Sequence, residues 1–141
     1  LAGYSGTPLP KKLGIADGSR VALIGAPNGF QDQLTPLPEG VTFLPRPTGA
    51  VDVILFFTQR RTELARRFGA LARKLVANGG FWIAWPKKSS GVDSDLTENV
   101  VREIGLANDL VDNKVCAVDE VWSGLRFVVP IARRPNWPER R

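Results

Sequence analysis

The chain has 141 residues, 43% of them hydrophobic and 23% charged, with a formal net charge of +5. That is enough for one ordinary domain with a sizeable core, and it is the composition of a folded chain rather than a disordered one. There is no histidine and one cysteine, Cys116, which excludes Ser-His-Asp hydrolysis, Cys-His chemistry, His-based zinc sites and any intrachain disulfide.

The positive charge favours anions in general without specifying nucleic acid. No apolar run approaches the roughly 20 residues that span a bilayer. The lone cysteine fits a reducing compartment, and the opening stretch lacks the positive-then-apolar order of a secretory signal. The expected location is therefore cytoplasmic, with no membrane contact.

Residues 1–14, rich in Gly and Pro, read as an extended N-terminal arm lying on the domain, with Tyr4 and Leu9 as anchors. Arg20–Ile24 is a short apolar strand ended by the turn Gly25-Ala26-Pro27-Asn28-Gly29. One helical turn is expected over 30–36, then a short strand over Val41–Leu44 stopped by Pro45, Arg46 and Pro47. Val51–Phe57 (VDVILFF) is the clearest central strand, because a continuous apolar run fits burial on both faces of a parallel sheet.

A helix is predicted over 60–77 from Leu64, Phe68, Leu71 and Leu75 at helical spacing, with Asn78-Gly79-Gly80 as its stop. Phe81–Trp85 is the next buried strand, ended by Pro86. Asp95, with Glu98 three residues on, predicts a capped helix whose buried stripe is Leu96, Val100, Ile104 and Ala107. Strands over Val115–Trp122 and Leu125–Ile131 would then form a hairpin around Ser123-Gly124.

This order predicts an α/β fold: a three-layer, Rossmann-like mixed sheet with a parallel centre and a C-terminal antiparallel hairpin. A single domain is expected over 15–132. Residues 133–141 would form a solvated basic tail, with Trp137 suited to docking on a neighbouring surface.

The candidate ligand site follows the strand at 81–85. Lys87, Lys88, Ser89, Ser90 and Gly91 offer two ammonium groups, two hydroxyls and a pliant backbone for a phosphate or carboxylate, just before a helix N-terminus. The plain alternative is a solvated loop whose lysines keep the end of the sheet polar. The loop is not a P-loop, because GxxxxGK[ST] is absent. Asn113 and Lys114 are the second candidate pair, with a simple turn as their alternative.

Asp93, Asp95 and Glu98 read as ion-pair partners of that loop rather than as metal ligands, and no metal is expected. Cys116, inside an apolar alternation, reads as an inert thiol. Arg126 is expected to pair with an acid across the hairpin.

The stretches VDVILFF, LVANGGFWIAWPKK, the helix after residue 95 and the final hairpin together resemble, in order, the second half of class I S-adenosylmethionine-dependent methyltransferases. Over nearly its full length the chain resembles a bacterial domain-of-unknown-function family, number 3052. GYSGTPLPKKLGI (3–15), WPKKSSGV with DLTE (85–92 and 95–98) and GLANDLVDNKVCAVDEVWSGLRFVV (105–129) carry that resemblance. It implies relatedness and fold, and no reaction.

The methyltransferase resemblance implies a glycine-alternating loop after the first strand and an acid ending the second. This chain has LIGAPNGF (23–30) and FLPRP (43–47) instead. The expectation is therefore a degenerate version of that fold with no cofactor: a non-catalytic or accessory module binding a small anionic ligand. The alternatives are a small-molecule enzyme acting on an anionic substrate through Lys88 or a neighbouring acid, and a basic protein that associates with nucleic acid or with itself. Nucleic acid is the less favoured partner, because the arginines of the 60–77 helix lack interleaved aromatics. Homodimerisation is left open.

Overall fold

The computed structural model describes residues 6–138. A four-residue helix α1 (Leu9–Lys12) leads into β1 (Arg20–Ile24), which is followed by a 3-10 turn over Phe30–Gln33 and then β2 (Thr42–Leu44). β3 (Val51–Phe57), α2 (Arg61–Ala72) and β4 (Leu75–Pro86) form one crossover. A 3-10 turn at Lys88–Ser90, then α3 (Glu98–Ala107), β5 (Val111–Ala117), β6 (Trp122–Val128) and a 3-10 segment over Ile131–Asn136 complete the order.

The six strands make one sheet in the order β2-β1-β3-β4-β6-β5. β2, β1, β3 and β4 are parallel, and β6 and β5 add the antiparallel hairpin to β4. The chain moves outward from β1 to β2 and then returns past β1 to β3. The carboxyl ends of β1 and β3 therefore flank the point where the winding direction reverses, the usual ligand position in open α/β sheets.

The two faces of the sheet are covered differently. On one, α2 and α3 bury Ile54, Phe56, Phe81, Ile83 and Phe127 beneath Leu64, Phe68 and Val101. Phe68 stacks on Phe81 with ring centroids 4.8 Å apart and meets Phe127 edge-on at 5.3 Å. The other face carries Val21, Val53, Leu55, Trp82 and Ala84, covered by Leu13 and Ile15 of the N-terminal segment and by Phe30 and Leu34. Trp82 donates its indole N–H to the Leu13 carbonyl at 3.0 Å, which anchors that segment. Leu9 packs there too, as expected; Tyr4 lies outside the described residues.

Several boundaries differ from the sequence expectation. α2 ends at Ala72, and the Asn78-Gly79-Gly80 run lies inside β4 rather than ending a helix. The glycines are required by contact: a Cβ at Gly79 would stand 2.6 Å from the Asp52 carbonyl oxygen. The hairpin turns at 118–121, not at Ser123-Gly124. There the Asp119 carboxylate accepts the Val121 and Trp122 amides at 2.8 Å each, a side-chain turn of the kind Asp favours. Gly124 is instead a strand residue whose missing Cβ makes room for the Trp82 ring, 3.1 Å from where that atom would be.

The N-cap of α3 is Thr97, whose Oγ1 accepts the Val100 amide at 3.2 Å. Asp95 accepts the Arg61 amide at 2.7 Å and so caps α2 rather than α3. The buried stripe of α3 centres on Val101 and Gly105, with Val100 and Ile104 at its margin. Trp137 is folded back onto its own domain: its indole N–H donates to the Leu75 carbonyl at 2.9 Å, and its ring packs against the helix-covered core. Among the described residues no helix is long and apolar enough to cross a membrane.

Candidate functional site at the carboxyl edge of the sheet

β1 is followed by Gly25, whose φ of +68° is open to glycine at little cost. A Cβ there would lie 3.0 Å from the Phe57 carbonyl oxygen, so the backbones leaving β1 and β3 pass close together. Above this approach lies an open crevice of about 360 Å3, lined by Gly25, Pro27, Phe57, Thr58, Gln59, Glu63 and Trp122. Trp122 meets Phe57 edge-on at 5.1 Å, and Phe30 meets the same ring at 4.9 Å. The apolar wall is thus a packed aromatic group rather than a set of loose side chains. Thr58 is buried and donates its hydroxyl to Glu63 at 2.5 Å.

A second, wider groove of about 690 Å3 continues over the ends of β1 and β2, with Asn28, Gln31, Asp32, Phe43, Leu44 and Pro45 in its walls. It exists because the β1–β2 link forms a single 3-10 turn where a crossover helix would otherwise stand.

The 87–95 loop borders the crevice and is tied to its rim. The Lys87 amide donates to the Val121 carbonyl at 2.8 Å, and the Lys87 ammonium to the Asp119 carbonyl at 2.8 Å. Ser90 donates its hydroxyl to the Lys87 carbonyl at 2.6 Å, and that Oγ accepts the Val92 amide at 3.2 Å. Further along, the Asp95 amide and the Ser94 hydroxyl both donate to the Gln59 carbonyl, at 3.3 and 2.9 Å. Arg60 pairs with Asp93 at 2.6 Å; each holds the other in its charged form, so the Asp93 pKa falls and the Arg60 pKa rises.

The acidic residues of this loop therefore fix it through α2, whereas the sequence offered the adjacent lysines as partners. Gly91 closes the turn at φ +75°, and Lys88 and Ser89 remain exposed.

The candidate residues fall into two groups. Lys87, Lys88, Ser89, Ser90 and Gly91 stand together at the carboxyl edge. Lys114 lies on β5 in register with Arg126, which is itself in register with Trp82 of β4, and Asn113 falls at the register shift just before it, toward the amino end of the sheet and away from that loop. Lys114 donates to the Lys12 carbonyl at 2.9 Å, and Asn113 Oδ1 accepts from Arg126 at 3.3 Å. Arg126 meets Lys114 in register and no acid, contrary to the cross-strand pair expected.

Cys116 is half-buried, and burial raises its thiol pKa, with Lys12 and Lys114 opposing that shift. A thiol held protonated in this way is a poor nucleophile. No group of three or more metal-ligating side chains gathers among the described residues.

Sequence reasoning missed Phe57, Thr58, Trp122 and Glu63 as a group. Each reads as a strand, cap or hairpin residue, and only the sheet order brings them to one crevice. The signal in principle was the end of VDVILFF, the strand that flanks the switch point.

No family model matches the chain, and no curated protein matches it. The solved structures do. The magnesium protoporphyrin IX methyltransferase of Synechocystis PCC 6803, with bound SAM, superposes with a TM-score of 0.57 at 12% identity, covering 81% of this chain and 71% of that one. The fold is methyltransferase-like.

A SAM-dependent methyltransferase from Aquifex aeolicus gives a TM-score of 0.54 at 15% identity over 85% of this chain and 87% of that one. A chain from the Haloferax volcanii complex containing the Trm112 methyltransferase activator gives 0.61 at 13% over 86% and 87%. The resemblance to class I methyltransferases is thus supported at the level of fold, while that to family 3052 receives no support from the family models.

Two features that the resemblance implies for holding S-adenosylmethionine are not in their expected places in this methyltransferase-like fold, although Asp32 stands in the same groove. Pro27 stands in the turn after β1. The groove wall from the end of β2 is Phe43, Leu44 and Pro45, with Arg46 following, so that strand contributes no acid to hold a ribose.

Proposed function

We propose that this methyltransferase-like chain is a ligand-binding or accessory module that holds a small anionic ligand at the carboxyl edge of its sheet and does not transfer methyl groups by itself. The observation that carries the reading is the crevice at the switch point. Phe57, Trp122 and Pro27 form its apolar wall, Thr58, Gln59 and Glu63 add polar atoms, and the 87–95 loop, tethered to Gln59 and Val121, leaves Lys88 and Ser89 exposed. A concave, mostly apolar wall with a few polar groups is the usual design of a small-molecule site.

The ligand that suits it has a flat apolar body for the Trp122 side and a phosphate or carboxylate for the Lys88 ammonium. Lys87 and Ser90 act mainly by shaping the loop, since their side chains already bond to its backbone and to the Asp119 carbonyl. The chain has no histidine, and β2 ends without an acid. Both facts favour binding over catalysis.

The test is calorimetric titration with adenosine 5′-monophosphate and, separately, adenosine, on the wild type and on Lys88→Ala. The monophosphate is expected to bind, and loss of one charge-assisted contact should weaken it about tenfold. The melting temperature of the variant should match that of the wild type. Equal affinity of both proteins, or of both ligands, would remove the anion from the reading.

A further inference from the structure

At the opposite, amino end of the sheet, on the face without long helices, Arg126 is held in an unusual setting. Its guanidinium lies against Gly80: a Cβ there would stand 2.5 Å from Arg126 Nε and 2.8 Å from a terminal nitrogen. Gly14 approaches from the covering N-terminal segment, its would-be Cβ 3.9 Å from the guanidinium. The absence of side chains at both positions makes the slot in which this cation sits.

Arg126 opens on a cavity of about 180 Å3 whose other walls include Ser19, Asp52, Asn78 and Gly79. That volume equals about six waters at roughly 30 Å3 each. It is room for a small polyatomic ion.

The carboxylate of Asp52 stands in the same wall but forms no ion pair with the cation. Among the described residues neither Arg126 nor Lys114, its neighbour in register, pairs with a carboxylate. The hydrogen-bond partner of the Arg126 guanidinium is the Asn113 amide oxygen, at a long 3.3 Å. Asp52, the carboxylate in the cavity wall, accepts the Arg20 amide at 2.8 Å. Burial and the nearby Arg134 both disfavour the charge, lowering the Arg126 pKa from its usual value. A half-buried guanidinium in this position gains from any anion that brings two acceptor oxygens in the plane of its fork.

Two further donors face the same space. Ser19 is buried, and its Oγ accepts the Ala16 amide at 3.0 Å, which leaves the hydroxyl proton to donate. Asn78, exposed at the mouth, carries a side-chain amide.

We propose that Arg126, with Ser19 and Asn78, forms a second binding site, separate from the carboxyl-edge crevice, that takes a small oxyanion: a phosphate group or a carboxylate. Its residues come from segments far apart in sequence, so an anion here would join the N-terminal segment, β4 and the hairpin across the face that lacks long helices.

The experiment is an NMR titration of the wild-type chain with inorganic phosphate and, in parallel, acetate, at constant ionic strength. It follows the Arg126 Nε–H and the Gly79 and Gly80 amides. A saturating shift at these resonances is expected. Saturation by phosphate alone assigns a phosphoryl site; saturation by acetate assigns a carboxylate site.

Arg126→Lys keeps the charge and loses the planar fork, so apparent affinity should fall at least tenfold, while Lys88→Ala should leave it unchanged. A shift that rises linearly without saturating, or one confined to 87–91, overturns this second site. The second of those results leaves the carboxyl-edge reading standing, and the first is decided on the wild type even if Arg126→Lys does not fold.

Discussion

The two halves of the parallel sheet make the same kind of connection in different ways. Between β3 and β4 the chain builds α2, and Leu64 and Phe68 of that helix are fully buried. Between β1 and β2 it builds one 3-10 turn, and what covers that half of the second face is Phe30, Leu34 and the N-terminal segment. A helix buries a broad apolar stripe and closes its end of the sheet. The turn buries two side chains and leaves a groove. One half of the sheet thus holds the fold, while the other leaves concave surface free at the switch point.

The sharpest way to break that comparison is to truncate one ring on each side. Phe68→Ala removes a ring stacked between Phe81 and Phe127 under α2, and should cost about 3–5 kcal/mol in urea unfolding. Phe30→Ala should cost less, because the turn that carries it can collapse into the space left. Equal losses would show that the short link is packed as rigidly as the crossover.

Gly105→Ala tests how closely α3 sits on the sheet. A Cβ there would lie 2.0 Å from the Phe127 ring, so despite better helix propensity the variant should lose about 1–3 kcal/mol. An unchanged or raised melting temperature would mean that Phe127 moves freely.

On the other side, Gly25→Ala places a side chain at φ +68° and 3.0 Å from the Phe57 carbonyl. It should lose about 1–2 kcal/mol and narrow the crevice, read as weaker ligand binding as well as a lower midpoint.

The smallest effect belongs to the pair that tethers the 87–95 loop. The Asp93 pKa is lowered in the folded state, so its stabilisation is complete above the unfolded carboxylate range. It is lost as pH falls through the folded value. Both partners are exposed, so Asp93→Asn should leave the neutral-pH midpoint almost unchanged and flatten only the acid limb of a stability–pH profile; the small effect should fade in high salt. A large change at neutral pH would mean that the loop has a structural weight its exposure does not suggest.

Much of the architecture was legible because it rests on local pattern. VDVILFF reads as a strand buried on both faces, and its observed bounds, Val51–Phe57, are those of the sequence reading. The stripe Leu64, Phe68, Leu71 is the buried stripe of α2. The PKKSSG loop falls after a central strand as expected.

Glycines and turn residues were less legible. Asn78-Gly79-Gly80 has the composition of a helix stop and Ser123-Gly124 that of a hairpin turn, yet both lie in strands. Gly79 is there because the Asp52 carbonyl comes close, Gly80 because Arg126 crosses it, and Gly124 because Trp82 packs on it. Those partners are distant in sequence, and a glycine that frees the backbone looks the same in one dimension as a glycine that admits a neighbour.

The candidate site divides along the same line. Sequence placed Lys87, Lys88, Ser89, Ser90 and Gly91 together because they are contiguous. It could not place Phe57, Thr58 and Trp122 beside them, nor separate Asn113 and Lys114 from them, since both depend on sheet order and register.

By itself, then, the sequence determined the apolar periods, the strands they demand, the helix between β3 and β4 and the chemistry that no histidine permits. Which end of the sheet each polar residue occupies, which acid caps which helix and where Arg126 lies all follow from sheet order and packing. Periodicity is a property of neighbours along the chain. Pairing, register and close approach are properties of neighbours in space.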